Sequence, residues 1–119
     1  MLSKIVKSAD WKTEKHVPAI TTRGTPAHGE TFEATVAVGA EIPHPNTPEH
    51  HIAWIALYFV PEGSSTPVEL ARAEFRAHGG NAAVAPVLKA TLTLSGPGTL
   101  LAASYCNLHG LWESSLPVA

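Results

Sequence analysis

At 119 residues the chain has the length of one domain, and such a chain can bury roughly two-thirds of its unfolded surface, enough for one core and no second. Its 15% charged and 45% hydrophobic residues, with 10 Pro and 9 Gly, exclude a disordered chain and a coiled coil; its net charge of −2 leaves no global electrostatic footprint for nucleic acid. The one cysteine, Cys106, excludes an internal disulfide and any four-cysteine metal site, and it stands beside seven histidines.

The N-terminal stretch from Met1 to Lys12 lacks the apolar centre of a signal peptide and is punctuated by Lys4, Lys7 and Asp10. Weak strand signals surround Ile5 and run from Val17 to Thr21. From Thr31 to Val38, Phe32, Ala34, Val36 and Val38 alternate with Glu33 and Thr35, which predicts a half-buried strand. His51 to Val60 is apolar on both faces, as a central strand would be. Val68 to Phe75 is a weaker strand. Val87 to Leu94 alternates Leu88, Ala90, Leu92 and Leu94 against Lys89, Thr91 and Thr93. Ser95-Gly96-Pro97-Gly98 then reads as a hairpin connection to a strand from Thr99 to Cys106.

The longest uncharged run, Ala90 to Trp112, is long enough to span a bilayer. The Ser-Gly-Pro-Gly break and the polar Asn107 and His109 make it two buried strands and a turn instead. No segment keeps a helical period for three turns, and no repeat or linker is visible. About seven short strands predict an all-β chain, an immunoglobulin-like sandwich formed as one domain over residues 1–119, without the immunoglobulin disulfide. A soluble cytoplasmic protein is expected, with no nucleic-acid or membrane partner.

Two loops carry the chemistry. In Pro43-His44-Pro45-Asn46-Thr47-Pro48-Glu49-His50-His51, three prolines fix φ and stiffen a loop with imidazoles at both ends. Thr47 before Pro48 resembles a helix cap and first position, so a single helical turn is expected to aim His50. His51, at a strand entrance, is expected to point away from it. In Ser104-Tyr105-Cys106-Asn107-Leu108-His109-Gly110, a Cys-x-x-His spacing lets one tight turn present two ligands to one metal. A lone buried cysteine is more often a small hydrophobe, and a loop histidine more often a surface residue. His28, His51 and His78 read as structural or exposed. One thiol with at least three well-framed imidazoles nevertheless suggests a nitrogen-rich mononuclear site.

Imidazoles suit iron, copper and zinc alike. Structural zinc usually takes two or more cysteines or closes at four ligands. Blue copper usually takes an axial methionine, but the only methionine is Met1 and the chain has no glutamine. The composition leans toward iron, with a copper electron carrier and a plain binding module as competing classes.

Three segments together resemble the superoxide reductases of the desulfoferrodoxin family: Glu14-Lys15-His16-Val17-Pro18, the stretch from Gly39 through His51, and Ser104 through Ser115. The resemblance runs from about Trp11 to Ser115, with its motifs in the family order. It implies an immunoglobulin-like sandwich carrying one iron, with His16, His44, His50 and His109 as equatorial ligands and Cys106 as the axial one. His51 is not a ligand in that pattern. Glu14 and Lys15 match a mobile pair beside the open sixth position: Lys15 to attract superoxide, Glu14 to occupy that position once the iron is ferric. With a single cysteine, the chain resembles the one-iron or neelaredoxin form.

The implied reaction is one-electron reduction of superoxide to hydrogen peroxide, in contrast to dismutation. A rubredoxin or similar small iron protein is the implied electron donor, and a homotetramer the implied assembly. Trp11, Trp54 and Tyr58 serve either its interface or the core. Backbone groups of Asn107 to His109 are expected to donate hydrogen bonds to the Cys106 sulfur.

Overall fold

Polar–apolar alternation builds the first of two principal sheets. The computed structural model describes residues 1–119. Strand β1 (Ala19–Arg23) pairs antiparallel with β2 (Phe32–Ala37), and the strand Val87–Leu92 pairs with the other edge of β2. The pairings Val36 with Leu88, Ala34 with Ala90 and Phe32 with Leu92 put the apolar residues of both strands on one face.

The second sheet is built on β3 (Ile52–Pro61), which is flanked by β4 (Val68–Glu74) and Gly98–Cys106. A two-stranded ribbon of β5 (His78–Gly79) and β6 (Ala82–Ala83) follows β4. In chain order Val87–Leu92 is therefore β7, Gly98–Cys106 is β8 and Gly110–Val118 is β9. The four-stranded sheet runs β4-β3-β8-β9. Ile55, Leu57, Phe59, Leu100 and Ala102 face Ile20, Phe32, Val36 and Leu88 of the first sheet in one core, which continues to the fully buried Cys106. The chain is all-β and sandwich-like.

Seven strands form the two principal sheets, and the ribbon brings the total to nine. β3 is the central strand its doubly apolar pattern predicts. Two expectations need correction. Ser95 to Gly98 is not a hairpin connection, because β7 pairs with β2 while β8 pairs with β3 and β9. β7 has one apolar face and suits a sheet edge, whereas β8 is placed between two strands; the turn residues read alike in both cases. No strand forms around Ile5, where a 3₁₀ turn (Leu2–Lys4) is followed by a single bridge from Lys7 to Trp112. β9 escapes the sequence reading because Glu113, Ser114, Ser115 and Pro117 interrupt its apolar pattern, which an edge strand tolerates. No helix is long and apolar enough to cross a membrane.

Gly98 opens β8 against β3 with no room for a side chain. A Cβ there would collide with Val60 O and lie 2.7 Å from the Phe59 ring. Gly96, in the same connection, has open space around it. Gly98→Ala is expected to lower stability by about 1–3 kcal/mol in denaturant unfolding, and Gly96→Ala to stay near neutral. Equal midpoints for the two variants would contradict this packing.

Candidate metal centre

Four separate segments meet at one end of the sandwich. His16 lies on the approach to β1, His44 and His50 on the loop between β2 and β3, Cys106 at the end of β8, and His109 in the turn to β9. The Cys106–Gly110 pairing closes that turn, and Gly110 takes the positive φ it needs. Gly39 also has positive φ, and a Cβ on it would lie 2.6 Å from the His44 backbone nitrogen. His44 can approach only because Gly39 is bare.

The four imidazoles stand at the corners of a near square. Ring centroids are 4.8 Å apart for His16–His44, 4.7 Å for His44–His50, 4.9 Å for His50–His109 and 4.8 Å for His16–His109. The His16–His50 diagonal is 6.3 Å. Neighbouring rings are turned by 62–75°, like propeller blades. Inside the square, His109 Nδ1 lies 3.1 Å from His16 Nε2 and 3.2 Å from His50 Nε2. Cys106 Sγ lies 3.6 Å from His44 Nε2 and 3.7 Å from His109 Nδ1. Donor atoms of His16, His50, Cys106 and His109 all fall within 4.8 Å of one another.

Two of these donors turn lone pairs inward. His16 Nδ1 donates to Glu14 Oε1 at 2.6 Å, and His44 Nδ1 to the Pro45 carbonyl at 2.6 Å. Each neutral ring thus spends its proton outward and turns a bare Nε2 inward. Bare nitrogens around a thiol need a cation between them. Two metal–nitrogen bonds of about 2.1 Å at a right angle put their nitrogens about 3 Å apart. The observed 3.1 and 3.2 Å spacings fit one first-row metal ion. Met1, which a blue-copper site would need, is 87% exposed. The His/Cys cluster suits a single iron cofactor per chain.

Electrostatics favour neutral rings at His44 and His50. Burial pushes His44 down to about 4 against the opposing Pro45 carbonyl, and the Lys15 charge adds to the lowering, as would a proton on His16 or His50. Burial likewise lowers His50, helped by His109, His16 and Lys15. The hydrogen bond to His16 holds the Glu14 carboxyl low. Lys15 is half-buried, with its charge felt at His44 and His50. Glu14 sits on the outer nitrogen of His16, so reaching an open metal position would require releasing that ring.

The surroundings brace the ligands in ways the sequence did not reveal. Trp112 stacks on His16 at 4.9 Å and 12°, while its Nε1 donates to His109 O. The fully buried Ser104 donates to His16 O. Asn107 staples the two loops, accepting from His51 N at 2.8 Å and donating through Nδ2 to Glu49 O at 2.9 Å. Its position inside Cys-x-x-His was visible, but its partners lie across the fold. The Asn107 N–H goes to His51 O, so it does not reach the Cys106 sulfur as expected.

The expected helical turn at Thr47 is also absent. Thr47 and His50 exchange backbone hydrogen bonds, and Thr47 Oγ1 accepts from His50 N as a cap would, but no helix follows. His51 turns away from the centre and stacks on His78; His28 bonds Ala119 O at the far terminus.

Comparison with known proteins matches residues 8–115 to the family model described as desulfoferrodoxin. The chain is 48% identical over 116 residues to the superoxide reductase of Pyrococcus horikoshii, covering 98% of this chain and 97% of that one. It is 48% identical over 121 residues to the neelaredoxin of Megalodesulfovibrio gigas, covering 95% and 93%. The reduced superoxide reductase (neelaredoxin) structure from Archaeoglobus fulgidus superposes with a TM-score of 0.87 at 46% identity, covering 97% and 98%.

The lowered His44 pKa has a consequence for the metal-free chain. An imidazole with a folded pKa below 6.5 takes up its proton more readily when unfolded, so stability present above pH 6.5 is lost as pH falls toward about 4. Unfolding midpoints of the metal-free chain should therefore drop across that window, and His44→Ala should flatten the slope. Identical slopes would contradict the burial of this ring.

Proposed function

The chain belongs to the desulfoferrodoxin family and is an oxidoreductase of the superoxide reductase type, and from that premise we propose that His16, His44, His50, His109 and Cys106 hold its iron as four imidazoles and one thiolate. The observation that carries this reading is the near-square of inward-facing rings with a buried sulfur beside it. Bound there, iron supplies the one-electron couple by which one superoxide, one electron and two protons become one hydrogen peroxide.

The chain's own residues set the conditions. Cys106, buried among core residues, closes the inner side and brings the electron-rich ligand. The exposed His109 and half-buried His50 leave the outer side to solvent and substrate. Neutral imidazoles add no charge, so a dication held by them and one thiolate would leave the centre net positive although the whole chain carries −2. Lys15 supplies local positive charge at the entrance. Glu14 fixes the tautomer of His16, and would exchange that bond for the open position after turnover.

With one such centre, electrons arrive from outside, and a rubredoxin-like iron protein docking at the exposed face is the proposed donor. The sandwich is read as immunoglobulin-like and as one iron-binding domain over residues 1–119. A homotetramer is supported by the outer face of the four-stranded sheet, where Trp54 stacks with Tyr105 and Arg72 lies 4.8 Å over Trp54. On the same face an apolar cleft of about 500 Å³ is lined by Leu2, Val6, Tyr58, Pro67 and Leu101. Trp11 is half-buried with Lys12 over its ring. A cytoplasmic location suits a free thiolate ligand.

Metal analysis with an absorption spectrum of the oxidised protein tests the reading. Iron near one per chain and a thiolate-to-ferric band are expected, with reduced donor consumed at about one electron per superoxide. Oxygen release with the donor left reduced would indicate dismutation.

Two substitutions probe the roles. Cys106→Ser should keep the fold by circular dichroism but abolish the visible band and most superoxide reduction; retention of both would remove Cys106 from the ligand set. Lys15→Ala should slow the second-order reaction with superoxide up to about tenfold at low salt and flatten its ionic-strength dependence, with iron content intact. A wild-type rate at low salt would return Lys15 to the solvated surface.

A further inference from the structure

The segment from Arg76 to Ala85 has no recognisable motif, yet it carries a histidine tied to the metal loop at two points. His78 opens the β5–β6 ribbon. Its Nε2 faces Phe75 O at 2.9 Å, and Phe75 is a core residue whose N–H bonds Ala53 O on β3. The ring is thereby anchored to the sandwich. Its Nδ1–H donates to Asn46 Oδ1 at 2.8 Å, while Asn46 Nδ2 donates to Val84 O at 2.9 Å just after the ribbon. Its face lies flat on His51, with centroids 3.7 Å apart and planes 10° apart.

These contacts fall beside the two loop ligands. Asn46 is two residues from His44, and His51 adjoins His50. His51 cannot swing freely, since its Nδ1 bonds Thr47 O at 2.9 Å and its backbone N–H bonds Asn107. Thr47 in turn closes on His50. Gly79 adopts φ +116° beside His78, with Asn46 O 3.9 Å and Pro48 Cδ 3.8 Å from where a Cβ would stand. The ribbon therefore lies against the outside of the loop, tied to it through Asn46, while Asn107 of the Cys-x-x-His turn holds it from within.

We propose that His78 is a positioning residue for the metal centre, which sets the bearing of His44 and His50 through its bond to Asn46 and its stacking on His51. The proposal rests on the reading of this cluster as an iron site. Residues that hold ligands in place act on metal affinity and on the electronic properties of the ion, beyond any effect on the fold. A merely structural His78 would alter the unfolding midpoint and leave those properties alone.

The test compares iron-loaded wild type with His78→Phe, His78→Gln and Asn46→Ala. His78→Phe keeps an aromatic face for His51 and loses the ring's bond to Asn46. His78→Gln keeps a donor and loses the stack. Asn46→Ala cuts the other end of the bridge and leaves His78 in place. The readouts are the rate of iron loss to bipyridyl, the position of the ferric visible band and the reduction midpoint. His78→Phe and Asn46→Ala should lose iron about tenfold faster and shift both the band and the midpoint, with His78→Gln intermediate. Iron loss, band and midpoint all at wild-type values in the three variants would overturn the role of His78. Failure of wild type itself to take up iron would instead overturn the reading of the site.

Discussion

The rest of this structure depends on bringing five electron-rich atoms, four imidazole nitrogens and one sulfur, to one point. His16 and His44 turn deprotonated nitrogens inward because their single protons are committed to Glu14 and Pro45. Their neighbours His50 and His109 approach to within ordinary ligand spacing. Left to themselves these lone pairs repel, and at His44 and His50 protonation is opposed first by burial. A cation at the centre would remove that repulsion. The arrangement's requirement is that four distant segments be held rigidly enough to resist their mutual repulsion.

A β-sandwich meets that requirement at the ends of its strands. β8 brings Cys106 out of the core with no freedom left, since its side chain is fully buried beside Ile52 and Val38 in one cluster. The β8–β9 pairing then fixes how far His109 stands from the sulfur. The loop between β2 and β3 has no such lattice, and its stiffness comes from prolines, the Thr47–His50 closure and the Asn107 staple. Each ligand is held by the means its segment offers. Trp112 links two of them, stacking on His16 and bonding the carbonyl of His109.

Much of this was legible in the residues. Alternation marked β2 and β7, doubly apolar character marked β3, and proline framing singled out His44 and His50. The Cys-x-x-His spacing singled out Cys106 and His109. His16 was identified by its resemblance segment, since one histidine on the way into a strand carries no local signal. What stayed hidden was decided by partners far away in sequence. β9 looks polar because one edge strand need not be apolar throughout. Ser95 to Gly98 has the residues of a hairpin, and pairing alone decides that it crosses between sheets. Asn107 and His78 are ordinary polar residues until Glu49, His51 and Asn46 are brought against them.

The same division explains how stability and chemistry are kept apart. The core of Ile55, Leu57, Phe59, Leu100 and their partners closes without help from the metal loop, and Cys106 is its only member with a ligand role. A cation added to the centre removes the repulsion among the loop imidazoles, so its free energy of binding acts first on the loop segments and only through Cys106 on the sheets. Ligand groups can therefore be tuned from outside the core, by Glu14 on one ring and Asn107 on one loop, at little cost to the sandwich. A site assembled on strand ends can vary its electronic character while the fold beneath it stays the same.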